Sequence, residues 1–277
     1  MNPSVPAYLL PYLLIGNIGA IVAVLAILNV TLKLTNLSVQ RQNRAFWTGF
    51  VLIVGWYLAA FSLSRLGVYQ GVPSRVPTIQ WGLLTPILAG IAMFRWWPAF
   101  RNIVESVPQK WLVTAQVYRA LGLIFLLLYA TGKLPGPFAL PAGIGDVTVG
   151  VLAPFVGAST LKRWNLLGLA DLGVALTTGM LTSPSPIQLL AFDHPNTLIS
   201  AFPLVMIPVF AVPLSILLHL ASLAKLRNPQ PTPISNATKF GGPLPNSDSH
   251  GGGLCRQAPV RARTEPAVAA TASIHPR

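Results

Sequence analysis

Seven apolar segments follow one another along this chain, at Tyr8 to Leu32, Phe46 to Ser64, Pro77 to Phe94, Leu112 to Thr131, Phe138 to Thr160, Trp164 to Thr182 and Leu198 to Ala224. Crossing about 30 Å of hydrocarbon takes about 20 residues of helix, within a range of about 17 to 25. Inside lipid every backbone N–H and C=O must be satisfied within the protein, so a chain built from such segments has helices as its solution. The expectation is an all-α integral membrane bundle of about seven transmembrane helices over residues 1–224, followed by a tail over 225–277. Charged residues make up 9% of the chain, against about 25% in soluble domains. The first segment has no basic start, is too long for a signal core and lacks a small-residue cleavage site, which makes it a retained helix. Gln80 and Pro86 interrupt the third, so a count of six stays open beside seven.

Lys and Arg in the loops set the orientation. With the N-terminus outside, one side collects ten basic residues: Lys33, Arg41, Arg44, Arg95, Arg101, Lys110, Lys162, Arg163, Lys225 and Arg227. The other side holds Arg65, Arg75 and Lys133. The basic side is read as cytoplasmic, which places the C-terminus inside. Trp47, Trp96, Trp97, Trp111 and Trp164 fall near that same interface, where indole rings prefer to sit. The formal charge of +13 is scattered through loops and tail with no dense patch, so membrane topology accounts for it and nucleic acid is not expected as a partner. The one cysteine, Cys255, permits neither an internal disulfide nor a CxxC site. No metal and no cofactor are expected.

From Lys225 onward the composition turns to Pro, Gly, Ser, Asn and Thr, which cannot bury enough surface to offset ordering entropy. The tail is read as disordered and cytoplasmic. Seven basic residues (Lys225, Arg227, Lys239, Arg256, Arg261, Arg263, Arg277) against Asp248 and Glu265 give it a net of +5. Attraction to anionic lipid headgroups is the expected consequence, beside a tail that is simply solvated.

Two acids break the apolar pattern. The runs from Gly143 to Gly150 (GIGDVTVG) and from Gly168 to Ala175 (GLADLGVA) share one frame, with Asp146 and Asp171 in equivalent places. A carboxylate in a membrane helix costs roughly 2.5 to 3.5 kcal/mol on insertion scales, so it marks a partner or a polar cavity. Helical spacing puts Gly143, Asp146 and Gly150 on one face and Gly168, Asp171 and Ala175 on the next helix's equivalent face. Small residues permit close helix approach, so these faces meet protein. Arg119 lies between Gln116 and Gly122 on a similar stripe of the fourth segment. At about 1.5 Å per residue, Arg119 and Asp171 both lie roughly 11 Å from the cytoplasmic side and Asp146 roughly 21 Å, which pairs Arg119 with Asp171 and leaves Asp146 only partly reached. Two acids on one base leave a carboxylate without full counter-charge, and Asp146 is the candidate to exchange a proton.

The stretch from Tyr118 to Gly150 resembles multi-pass bacterial membrane proteins of no assigned function, a resemblance that implies a bacterial inner membrane. Gly143-Ile144-Gly145-Asp146 is similar to the GxGD motif of intramembrane aspartyl proteases, including presenilin-like and prepilin peptidases. That resemblance implies that Asp146 and Asp171 activate a water as a pair. In that family the GxGD aspartate comes second along the chain, whereas Asp146 comes first, and the Pro-Ala-Leu element is missing after the sixth segment. Retinal proteins need a Lys in the last helix, and Leu198 to Ala224 has none. Pro203, Pro208 and Pro213 should bend that segment. His219, near its end, is read as an interface residue, and Asp193 with His194 is too small a set for an ion site.

Three functions follow from the cluster Arg119, Asp146 and Asp171. The leading one is a small transporter-like or channel-like protein in which a carboxylate changes protonation. The second is a scaffold or assembly protein that uses the cluster as a packing clamp. The third is the protease.

Overall fold

The computed structural model describes residues 5–71 and 78–227. Arg75, Pro77 and the tail beyond Arg227 lie outside the described residues. Among the described residues nine α-helices follow in order: α1 Leu9–Lys33, α2 Val39–Arg65, α3 Ile79–Trp96, α4 Pro98–Ser106, α5 Gln109–Thr114, α6 Leu123–Ala130, α7 Gly136–Leu152, α8 Leu161–Thr182 and α9 Val212–Arg227. No strand occurs among the described residues. Six helical stretches among the described residues are long and apolar enough to cross a membrane: α1, α2, Gln109–Ala130, Gly136–Phe155, α8 and Ile207–Arg227. Joining α3 with α4 across a bend of 97° makes a seventh. The all-helical expectation holds, and the architecture is compatible with a multi-pass membrane protein.

Apolar runs and helices do not share boundaries. α2 starts at Val39, ahead of the apolar run, because Ser38 is extended and no Gly or Pro occurs between Ser38 and Gly49. Gln, Arg, Asn and Ala carry the helix through its polar first turns, where Arg41 and Arg44 are exposed. The fifth segment stops short of Thr160. Ala153–Phe155 tightens into a 3₁₀ turn around Pro154, and Val156 leaves in an extended conformation.

The seventh segment departs most from expectation. Instead of one bent helix over Leu198 to Ala224, the chain makes a short 3₁₀ turn at Leu198–Ser200, breaks at Ala201, and re-forms at Ile207. Ile207–Ala211 is a π-turn in which the Val212 N–H reaches back to the Ile207 carbonyl. The widened turn accommodates Pro213, whose ring would otherwise press on the carbonyl four residues earlier. The final helix then runs on to Arg227, so Lys225 to Arg227 belong to the bundle.

The interior holds three apolar clusters. Leu9, Leu13, Phe125, Leu128, Phe138 and Leu204 form one of them. A second gathers Ile21, Tyr57, Val205, Val209 and Phe210, and a third Val113, Val149, Ala153 and Trp164. The outside is also apolar, since Ile15, Val22, Val51, Leu88, Ile144, Val151 and Leu167 all lie exposed. α3 buries none of its residues fully and packs chiefly on α9 and the π-turn before it. Such a surface suits lipid as solvent.

Close backbone approach places α7 against Arg119 and its neighbours. A Cβ on Gly150 would stand 2.4 Å from the Ala120 amide nitrogen, while a Cβ on Gly19 meets nothing within 4 Å. No side-chain rotation can relieve a clash with backbone. Gly150→Ala is therefore expected to cost about 1 to 3 kcal/mol, and Gly19→Ala to be neutral, when thermal unfolding of the two purified variants is compared.

Candidate functional site: a buried arginine bridging two helices

The centre of the bundle is built on a run of 3₁₀ helix. Ala115–Gly122 winds in this tighter form between α5 and α6, twice the usual length of three to four residues. With about three residues per turn, residues three apart stand in line. Gln116, Arg119 and Gly122 therefore form one straight row, and all three are buried. Arg119 is 3% exposed.

Every nitrogen of the guanidinium is engaged. Nε donates to Asp146 Oδ1 at 2.8 Å, and Nη2 lies 2.7 Å from the same oxygen. Nη2 also donates to Asp171 Oδ2. Nη1 points to the Gly168 carbonyl at 3.4 Å and to His219 Nε2 at 3.2 Å. One arginine thus ties α7 to α8 and α8 to α9. Asp146 is not partly reached, as depth along the helices suggested: it takes the Nε bond and shares Nη2 with Asp171. Distance measured along separate axes overlooked the close approach of α7 to the 3₁₀ run, which brings Asp146 to the root of the guanidinium.

His219 is corrected from an interface residue to a member of this cluster. It is fully buried, with its ring centroid 4.9 Å from that of Trp164. The expected position assumed a helix ending at Ala224, but α9 continues to Arg227. Arginine has no acceptor, so His219 Nε2 must accept from Nη1, which puts the ring proton on Nδ1. Nδ1 then donates to Asn165 Oδ1 at 2.9 Å. Asn165 Nδ2 donates to the Leu161 carbonyl and to Ser222 Oγ, each at 2.9 Å, and Ser222 Oγ also receives Gln109 Nε2. A continuous polar chain thus runs from Arg119 to the end of the bundle where Gln109 and Ser222 sit. Beside it Tyr118 Oη donates to the Ala211 carbonyl at 2.8 Å and stands 2.5 Å from Ser215 Oγ, while Gln116 Nε2 donates to the Ser215 carbonyl at 3.0 Å.

Glycines make room for the charged groups. A Cβ on Gly145 would fall 1.5 Å from Asp171 Oδ1, one on Gly122 2.3 Å from Asp146 Cβ, and one on Gly168 2.4 Å from His219 Nε2. Of the predicted packing residues, Gly150 backs onto Ala120, Gly143 faces Leu126 of α6, and Gly168 faces His219 and Arg119. Ala175 packs on the Leu9 cluster and lines an apolar crevice. Gly145 and Gly122 carry no polar atoms in their side chains, and their roles were legible only through the motif positions they occupy. Asn165 and His219 left a clearer trace, as uncharged polar residues in apolar segments.

Two cavities meet at Asp146. The smaller, about 40 Å³, is lined by Tyr12, Asn17, Tyr118, Arg119, Asp146 and Ser215. It can hold about one to three waters. Asn17 is 5% exposed and its Nδ2 has no hydrogen-bond partner among the described residues. The larger, about 80 Å³, runs between α3, α6, α7, α8 and the segment before α9. Asp146, Phe125, Leu172, Ile207 and Val212 line both. Asp146 Oδ2 accepts no hydrogen bond from the described residues. Asp193 and His194 are exposed, and no group of three or more metal-binding side chains occurs among the described residues.

Fold and site together define a class: described residues that form an all-helical fold, with six or seven helices long and apolar enough to cross a membrane, and an arginine–carboxylate cluster among them. The chain belongs to the family described as Domain of unknown function (DUF8737), which matches residues 76–227, more than half of its length. That match takes in α3 to α9 and with them Arg119, Asp146, Asp171 and His219. No curated protein and no solved structure matches the chain.

The Gly145 contact yields a coupled prediction. Gly145→Ala should displace the Asp171 carboxylate from Arg119, and removing one partner of a buried ion pair costs about 3 to 5 kcal/mol. In an Asp171→Ala background the same glycine substitution should cost little, since the atom it strikes is gone. A double-mutant cycle on unfolding free energies checks this, and additive losses would show that Gly145 and Asp171 are not coupled.

Proposed function

We propose that this chain is a transporter-like integral membrane protein in which Asp146 takes up and releases a proton. One observation carries the reading: Asp146 stands where the two cavities meet, and its Oδ2 accepts from no donor among the described residues. Arg119 balances one of the two carboxylates, so the cluster with both acids ionised carries one negative charge in excess. A buried charge without a partner is costly, and a proton on Asp146 removes it. Arg119, Asp171 and Tyr118 neighbour that carboxyl, His219 lies beyond it on Arg119 Nη1, and Tyr12 lines the adjoining cavity. The unpartnered Asn17 amide supports a hydrated smaller cavity, since a buried donor requires an acceptor.

The proposed setting is the bacterial inner membrane, with seven spans, the N-terminus outside and the C-terminus inside. α3, with 18 residues, reaches across as one span, and α4 then lies along the cytoplasmic surface. The contact of Lys225 Nζ with the Glu105 carbonyl and of Gln109 with Ser222 supports one common end for these basic segments. The basic tail adds attraction to anionic lipids, and no nucleic acid is a partner in this reading.

The packing-clamp reading draws on the full use of the guanidinium donors and the glycine fit around the cluster. Proton exchange at Asp146 separates it from transport. The protease reading has less support, because Arg119 Nη2 is bonded to both carboxylates, whereas a water-activating pair shares a proton between them.

The purified full chain in sealed vesicles tests the proposal. Proton flux driven by a pH step should exceed that of empty vesicles and fall to their level in Asp146→Asn, which keeps the size and most hydrogen bonds of the acid. Flux equal to empty vesicles for both proteins overturns it in favour of the clamp. For topology, reporter fusions at Asn36 and Gly157 should report cytoplasm and fusions at Gly132 and Asp193 the outside. The opposite signals at Gly132 and Asp193 would sink the orientation.

A further inference from the structure

The larger cavity has a shape and a charge that select a ligand. It extends along α8 from Leu172 to Ser183, which at 1.5 Å per residue is about 16 Å. A volume of about 80 Å³ drawn out over that length is narrow, so it fits an unbranched chain better than fused rings. Its walls are apolar: Leu83, Phe125, Phe138, Leu172, Leu176 and Met180. Gly71, Ser183 and Ser200 close one end, where the Gly71 N–H donates to Ser200 Oγ at 3.2 Å. At the other end stands Asp146, next to a cluster of one arginine and two carboxylates.

We infer that this crevice binds a slender amphiphilic cation, a primary ammonium on an unbranched alkyl or alkyl-aryl chain, with the ammonium on Asp146 Oδ2. The crevice takes the chain, and the excess negative charge of the cluster takes the head. Oδ2 is an acceptor with no donor among the described residues, and Phe125 lines both cavities beside it. An anion meets the excess carboxylate and is repelled. A neutral alcohol of equal length keeps the apolar contacts but leaves that charge unbalanced.

The inference rests on the proton-exchange reading, because proton and ammonium occupy the same oxygen. Binding therefore releases a proton and strengthens as the pH rises through the titration of the cluster. The groups beside Asp146 in that titration are Arg119, Asp171 and Tyr118, with His219 on the far side of Arg119 and Tyr12 across the smaller cavity.

The test uses the purified full chain in lipid nanodiscs, with calorimetric titration of phenylbutylammonium, phenylbutanol and phenylbutyrate. The ammonium should bind saturably and at least about tenfold tighter than the alcohol, with no binding of the carboxylate. Asp146→Asn should remove the preference for the ammonium. Met180→Trp, which narrows the crevice away from the cluster, should weaken the ammonium and leave the infrared carboxyl band of Asp146 responsive to pH. Equal affinity for ammonium and alcohol in the unaltered protein overturns the inference, whatever the fate of the variants. A pH-dependent carboxyl band with no ammonium binding overturns it too and leaves the proton reading standing. Ammonium binding with the predicted charge preference, but without a pH-dependent band, supports the site and removes proton exchange instead.

Discussion

Arg119 is the interaction on which the centre of this bundle depends, because a guanidinium taken out of water must keep its donors satisfied from groups on other helices. α7 supplies Asp146, α8 supplies Asp171 and the Gly168 carbonyl, and α9 supplies His219. These partners fix the rotation of three helices about their own axes. They also demand short distances, and the small residues follow from that demand. Gly122, Gly145 and Gly168 each stand where a methyl group would strike a member of the cluster. The apolar clusters hold the helices together without specifying so sharp a register, since hydrocarbon contacts are non-directional.

The irregular backbone lies beside this centre. A 3₁₀ run carries Gln116, Arg119 and Gly122 in one row, and a π-turn opens the chain ahead of α9. Both elements give up regular α-helical bonding, and both line the smaller cavity with side chains or backbone: Tyr118, Arg119 and Gly122 from one, Ile207 and Ala211 from the other. Tyr118 joins them through its bond to the Ala211 carbonyl. Departures from regular helix at membrane depth are tolerated where protein or a cavity, and not lipid, faces them. Here they shape the space around Asp146.

Transport and clamping make opposite use of the same residues. A clamp requires only that the guanidinium stay bonded. Transport requires in addition that one carboxylate be reachable and able to change its charge, and Asp146 differs from Asp171 in lining both cavities. The polar chain through His219, Asn165, Ser222 and Gln109 holds the far side of Arg119 in place toward the basic end of the bundle. His219 is neutral in that chain, an acceptor toward Arg119 and a donor toward Asn165, so it orients the guanidinium without adding charge.

The sequence by itself determined the class of fold and the identity of the buried charges. Long apolar runs can only be helices that face lipid or each other, and Arg119, Asp146 and Asp171 are conspicuous within them because charge is so costly there. The stripe of Gln116, Arg119 and Gly122 was also legible, since residues three apart fall near one another on any helix. Tertiary structure alone decided the partners. Which oxygen meets which nitrogen depends on helix rotation and on separations of a few ångströms between elements distant in the chain, and no periodicity records either. For the same reason Asp146 was underrated and His219 misplaced: the one was brought in by the glycine contacts of α7, the other by a helix that outlasts its apolar run. The break before α9 and the π-turn were equally hidden, because a proline announces a disturbed helix but its neighbours choose the form of the disturbance.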